Sequence, residues 1–437
     1  MKEKILPDES NKKSQKKKNK KYNQFKYIII ILCTLKYYYQ KYYEEHYIDN
    51  FDMLTYFYNV NKYSINFEKK KILLFDYIDS DVCEDINAYT IFQYYQKMNN
   101  DNAYYFINEN SNLYKSLVEQ NKTKNIVPIK DQNDIETLTP YFYEAKIIVQ
   151  SFASHTIQYY ISRIKHIKFL YLTHAVNYFK KNTIAIELKK LVKEKQNIIM
   201  TSPYEYNLYK KINLYEEKAM HPAGLPRYDR LVNSTKNESE NDCVLISFTF
   251  RNYDDSIFEK SYYKKRLEEL LSDEGLLNYL DQRNIDLVFT QHHYDVFRGR
   301  KLNETLFPKV KFKSQKFLSK YIEQCSLYIT DISSVSFDFM FQNKPVLFYY
   351  LDIDDPYNFT DKQYMKIDQD NSIYFDNVFE TRDKLIDKIK YYVDRNFVLD
   401  DELKDKYDNM FFCKVNITQT IVNIISNITN EKQYMFC

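Results

Sequence analysis

The sequence predicts an α/β fold of two doubly wound parallel sheets facing a cleft. Two observations carry this. Short apolar runs alternate with helical patterns of about 10–15 residues, as parallel strands covered by helices on both faces require. The alternation also comes in two series, parted by His221-Pro222-Ala223-Gly224-Leu225-Pro226-Arg227-Tyr228-Asp229, whose prolines and glycine mark a hinge. At 437 residues the chain has room for two such units and an N-terminal extension.

The extension spans residues 1–69. Its first 26 residues hold ten lysines against three acids, with no apolar periodicity, a composition that buries no core. Tyr27–Leu35 is apolar for about ten residues, half of the roughly 20 that a spanning helix needs, and no small-residue cleavage site follows. A polybasic arm before a Tyr-rich amphipathic segment reads as an anchor on an anionic membrane surface; a solvated tail before a buried helix is the plainer reading. No nucleic-acid-binding motif follows it.

The first series, residues 70–225, offers strands at Ile72–Phe75, Tyr104–Ile107, Ile147–Gln150, Phe169–Leu172 and Ile198–Met200, with a helix over Cys83–Lys97. The second, residues 226–437, opens with a strand at Val244–Phe248 and a long helix near Tyr263–Leu280. Strands at Ile285–Phe289, Leu327–Ile329 and Val346–Tyr349 follow, then helices near Lys384–Tyr392 and Ile417–Ile428. Ligands of such sheets bind beyond the carboxyl ends of the strands.

Composition excludes several chemistries. With Gly224, Gly275 and Gly299 as the only glycines, no GxGxxG or Walker loop exists, so phosphate must be held by helix starts and side chains. The 45 tyrosines follow the Asn-, Lys- and Ile-rich drift of an AT-rich gene. Six scattered cysteines without a CxxC pair point to reduced thiols in a cytoplasmic compartment and to no structural zinc. Asp352-Ile353-Asp354-Asp355 lacks an EF-hand pattern and reads as a solvated loop. Neither a metal site nor a cofactor is expected.

The most informative stretch is Leu327–Tyr350, LYITDISSVSFDFMFQNKPVLFYY. A strand runs through Thr330 and Asp331 into Ser333 and Ser334, which open a short helix. The first-turn N–H groups and hydroxyls there suit an anion, and an ordinary capped β-α-β unit is the bland reading. His174 follows a strand of the first series, and His292 and His293 follow one of the second, where imidazole serves as base or phosphate donor. Arg227 and Asp229 sit in the hinge, as a phosphate clamp or a local ion pair, and Arg251, ending the first strand of the second series, is placed to meet a diphosphate or is an ordinary surface arginine. His155 is a secondary candidate.

In chain order, Leu172-Thr173-His174-Ala175-Val176, Gly224-Leu225-Pro226-Arg227-Tyr228-Asp229-Arg230-Leu231, the His292-His293 pair, and Ile329–Asp338 through Lys344-Pro345 resemble the CDP-glycerol glycerophosphotransferase family. The resemblance covers roughly residues 70 to 400 and implies a GT-B fold of two Rossmann-like domains, an acceptor domain at 70–225 and a nucleotide-donor domain at 226–437. It implies metal-independent transfer of glycerol phosphate from CDP-glycerol, or a similar CDP-polyol, to a hydroxyl of a glycan or lipid-linked acceptor, with release of CMP. His174 becomes the base. His292, or its neighbour His293, and the Ser333/Ser334 helix start hold the donor diphosphate. Thr330 and Asp331 shape that loop, and Arg227 and Asp229 support the hinge side of the site; Arg251 and Asp338 are further substrate-binding candidates. The family usually has glycine where this chain has Ala175; glycine permits positive φ, so an altered acceptor side is one consequence. The alternatives are a GT-B glycosyltransferase using a nucleotide sugar and a non-catalytic membrane-associated relative.

Overall fold

The computed structural model describes residues 71–76, 87–131, 134–152, 157, 167–176, 196–211, 215–233, 241–251, 253–352 and 377–430. The 1–69 arm, His155 and residues 353–355 lie outside them.

Two all-parallel sheets carry the fold. The first has seven strands in the order β3-β2-β1-β4-β5-β6-β7. These are β1 (Lys71–Phe75), β2 (Ala103–Asn108), β3 (Ile126–Ile129), β4 (Ala145–Gln150), β5 (Lys168–Tyr171), β6 (Gln196–Met200) and β7 (Met220–Pro222). The second has six, in the order β10-β9-β8-β11-β12-β13: β8 (Cys243–Ile246), β9 (Asp286–Thr290), β10 (Val310–Lys313), β11 (Leu327–Thr330), β12 (Val346–Tyr349) and β13 (Val378–Phe379). Each sheet reverses its winding beside its first strand, so crevices open at the carboxyl ends of β1 and β4 and of β8 and β11. The central strands are apolar on both faces because helices cover both: Ile147, Ile148 and Val149 of β4 are fully buried, as are Leu327, Tyr328 and Ile329 of β11.

Three expectations need correction. The helix expected near Tyr263–Leu280 is two, Tyr262–Leu271 and Glu274–Asp281, because the Asp273 carboxylate accepts the Leu276 N–H at 2.9 Å and starts a new helix. Asp352 is not solvated but fully buried. The thiols are not all reduced either: Cys243 on β8 and Cys325, just before β11, are joined in a disulfide. These positions are 82 residues apart in sequence and neighbours in the sheet, which spacing alone does not reveal.

The hinge stretch begins inside β7 and ends in the helix Tyr228–Asn233. At Gly224 an added Cβ would come within 3.1 Å of the Ile417 side chain, so glycine permits the close approach of the C-terminal helix Ile417–Asn430. That helix crosses back from the second sheet to pack on β4, β5 and the helix Asn87–Lys97. Among the described residues no helix is long and apolar enough to cross a membrane.

Candidate active site

At the carboxyl edge of the first sheet, β1 ends in Asp76, whose buried carboxylate accepts four hydrogen bonds. The donors are the Ala88 and Tyr89 N–H groups (both 2.9 Å), Ser151 Oγ (2.5 Å) and the Tyr105 hydroxyl (3.2 Å). Burial pushes its pKa up to about 6 against those four donors. Asp76 thus fixes the start of the helix Asn87–Lys97. An Asp directly after an apolar strand, as at Asp331, is the sequence signal for this role.

Two strands along, β5 runs out into Thr173 and His174. Thr173 is fully buried with φ +62°, and its hydroxyl has no hydrogen-bond partner among the described residues. A β-branched residue held in the left-handed region stores about 1–3 kcal/mol of strain, a feature that clusters at functional sites. The turn sets His174 half-buried at the edge, beside the Phe152 ring at 5.6 Å, with its Nδ1 buried. Ala175 does not adopt positive φ, so the conformation for which glycine is usually kept falls two residues earlier.

Arg227 connects this edge to the second sheet. Its backbone N–H donates to Asn87 Oδ1 at 3.1 Å, and its Nη1 donates to the His174 carbonyl at 2.5 Å. Its Nη2 meets both oxygens of Asp338, at 2.8 and 3.1 Å. Asp338 lies on the helix Val335–Phe341, one turn beyond Ser334. The next residue, Tyr228, stacks on Phe341 of that helix at 4.2 Å. Asp229 points elsewhere: its two oxygens accept the Ile417 and Thr418 N–H groups, at 3.0 and 2.7 Å, and cap the C-terminal helix.

On the second sheet, buried polar bonds lock the loops that leave β8, β11 and β12. Thr330 Oγ1 donates to the Ser247 carbonyl at 2.7 Å, and Asp331 accepts the Thr249 N–H at 3.0 Å. Arg251, fully buried, binds Asp331 at 2.7 Å and forks onto Asp352 at 2.6 and 2.9 Å. Burial raises the Asp352 pKa, but the Arg251 charge and hydrogen bonds outweigh it and hold the carboxyl below its usual range. Arg251, Thr330 and Asp331 are therefore shut inside the wall of the site. Ser333 and Ser334 stay half-buried at its edge.

The histidine pair follows β9, and its tautomers follow from its partners. The His293 backbone N–H, which only donates, faces Gln315 Oε1 at 2.7 Å; the same oxygen faces His293 Nδ1 at 2.9 Å, so Nδ1 carries a proton. The Tyr294 N–H donates to His292 Nδ1 at 3.3 Å, so in neutral His292 the proton sits on Nε2. Neutral His292 thus carries its N–H on Nε2, and neutral His293 keeps its lone pair on Nε2. Asp295, next along, is buried with neither oxygen hydrogen-bonded among the described residues. Burial raises its pKa to about 6 against the nearby Arg300, Arg251 and Arg298 charges.

Of the residues expected from sequence, folding brings His174, Arg227 and Asp338 into one chain of contacts, and Arg251, Thr330 and Asp331 into another. Asp229 stands apart. Asp76, Thr173 and Asp295 were not foreseen.

The family described as CDP-Glycerol:Poly(glycerophosphate) glycerophosphotransferase matches residues 56–427. The minor teichoic acid biosynthesis protein GgaB of Bacillus subtilis (strain 168) is 26% identical over 398 residues, which cover 84% of this chain. The chain spans 41% of the length of that relative. Among solved structures, the wall teichoic acid polymerase TagF aligns with a TM-score of 0.59 at 14% identity, covering 87% of this chain and 98% of that one. The S. aureus MnaA–UDP co-structure aligns at 0.53 with 10% identity, over 83% of this chain and 98% of that one. At these identities the structures establish the fold, a GT-B-like pair of parallel sheets.

Proposed function

This chain belongs to the CDP-glycerol:poly(glycerophosphate) glycerophosphotransferase family, and on that premise we propose that it moves glycerol phosphate, or a related polyol phosphate, from a CDP-activated donor to an acceptor hydroxyl. The observation that carries the reading is the grip of Arg227 on both the His174 carbonyl and Asp338, which ties a strand-end histidine to the helix opened by Ser333 and Ser334.

In this reading the acceptor hydroxyl gives its proton to His174. Because Nδ1 is buried, Nε2 is the nitrogen that takes it. The acceptor oxygen bonds to the phosphorus bearing the glycerol, the bond from that phosphorus to the CMP oxygen breaks, and CMP leaves with the electron pair. The Nε2–H of His292 and the hydroxyls of Ser333 and Ser334 donate to the diphosphate oxygens where charge develops. The acceptor is a glycan or lipid-linked hydroxyl, and the basic 1–69 arm supports peripheral attachment to an anionic membrane.

Release of CMP from CDP-glycerol in the presence of acceptor tests this. His174→Ala abolishes release while the melting point still rises with CDP. Undiminished turnover in that variant overturns the role of His174, and stabilisation by UDP-sugars rather than CDP-glycerol overturns the donor.

A further inference from the structure

Three strands of the first sheet lie side by side in the order β1, β4, β5. Asp76 directly follows β1, Ser151 directly follows β4, and His174 lies just past β5. The Asp76 carboxylate binds this edge to the helix Asn87–Lys97. Its Oδ1 accepts the Ala88 N–H and the Ser151 hydroxyl, and its Oδ2 accepts the Tyr89 N–H and the Tyr105 hydroxyl.

Two routes lead on from there to His174. Asn87, the residue before Ala88, accepts the Arg227 N–H at 3.1 Å, and Arg227 Nη1 holds the His174 carbonyl at 2.5 Å. Phe152, the residue after Ser151, sets its ring 5.6 Å from the His174 ring. One route ends on the backbone of the histidine and the other on its imidazole.

We propose that Asp76 is a positioning residue for the transfer, aligning His174 with the acceptor hydroxyl through Asn87–Arg227 and through Ser151–Phe152. The proposal rests on the reading that His174 is the base, and goes beyond it by naming what holds that base in place.

Three features favour this role over a plain helix cap. A cap for the helix alone is supplied by a side chain beside its first turn, whereas Asp76 lies 12 residues before Ala88 and also ties down β2 and the end of β4. A carboxylate with four donors in a buried setting resists displacement, so the elements it joins move as one. The turn that delivers His174 is strained at Thr173, with φ +62°, and such a turn persists only where its surroundings over-determine it.

Steady-state kinetics with CDP-glycerol and acceptor, beside calorimetric CDP binding and melting points, test the role in the full chain. Asp76→Asn is expected to lower kcat about 10-fold or more through misplacement of the base, while donor KM and CDP affinity stay at the wild-type level. Because both act on His174, the losses in Asp76→Asn and Arg227→Lys combine to less than their product in the double variant. Tyr105→Phe removes a bond to the same carboxylate but touches neither route, so its melting point falls and its kcat holds. Ser151→Ala cuts one route with a small, tolerated side chain, and carries the test if Asp76→Asn fails to fold; its kcat falls with donor KM unchanged. A loss in Asp76→Asn alone keeps the role and routes it through Arg227. Wild-type kcat in Ser151→Ala, and in Asp76→Asn where that variant folds, overturns the role while an inactive His174→Ala leaves the base standing. Losses that multiply with Arg227→Lys, or an equal loss in Tyr105→Phe, also overturn it. Undiminished turnover in His174→Ala overturns both readings together.

Discussion

Arg227 and Asp338 meet across the two sheets through one guanidinium nitrogen and both carboxylate oxygens, and the other terminal nitrogen of the same fork holds the His174 carbonyl. The pair is almost dry, with side-chain exposures of 13% and 3%. In the proposed mechanism Arg227 therefore acts as a positioning residue: its fork is taken up by the His174 carbonyl and Asp338 rather than open to clamp phosphate.

Lysine at 227 keeps the charge but cannot fork. Arg227→Lys and Asp338→Asn are each expected to lower kcat about 100-fold, the scale of a misplacement near 1 Å, while CDP affinity stays close to wild type. Steady-state kinetics alongside CDP binding separate the cases. A variant that loses CDP affinity at unchanged kcat would return Arg227 to the role of a phosphate ligand.

Asp295 gives a pH prediction. Its pKa rises from 3.8 to about 6 through burial, a shift worth roughly 3 kcal/mol. A buried acid holds its proton longer in the fold than in the unfolded chain. Its ionisation therefore weakens the fold as pH climbs from about 4 to about 6, and the loss is constant above that. Asp295→Asn removes this cost and leaves Arg300 its Asp255 partner. Melting points are expected to match wild type near pH 4 and to exceed it by several degrees at pH 7.5. A variant less stable than wild type at pH 7.5 would show that the ionised carboxylate is needed.

Asp229 makes the opposite kind of claim. As the cap of the C-terminal helix it contributes stability, and Asp229→Ala is expected to cost about 1–2 kcal/mol. The KM for the CDP-activated donor remains unchanged. A raised donor KM without loss of stability would put Asp229 in the binding site after all.

These residues also show what the sequence could and could not tell. The buried central strands were legible because burial on both faces leaves an unbroken apolar run. The four strands that were missed are the sheet edges: β3 with Pro128, three-residue β7, lysine-alternating β10 and two-residue β13. Edges carry prolines and charges that blunt pairing, so their pattern is broken by design. Likewise the strand-end residues His174, His292 and Ser333 could be placed from local pattern, but their partners could not. Arg227 and Asp338 are 111 residues apart, and Arg251 and Asp352 are 101 apart. Without those pairings, Arg251 and Asp229 read as ligand contacts when one is sealed in the wall and the other caps a helix.

Ala175 stands where the resemblance leads one to expect glycine, and the backbone gives it a specific expectation. Glycine would be demanded there by positive φ, but the left-handed residue is Thr173, and the Ala175 side chain is already accommodated at 5% exposure. Ala175→Gly therefore relieves no strain and adds freedom to the unfolded chain, costing about 0.5–1 kcal/mol. Turnover of the CDP-activated donor is expected to stay at the wild-type level, with a melting point slightly lowered. A large gain in kcat from Ala175→Gly would mean instead that the alanine methyl obstructs the acceptor beside His174.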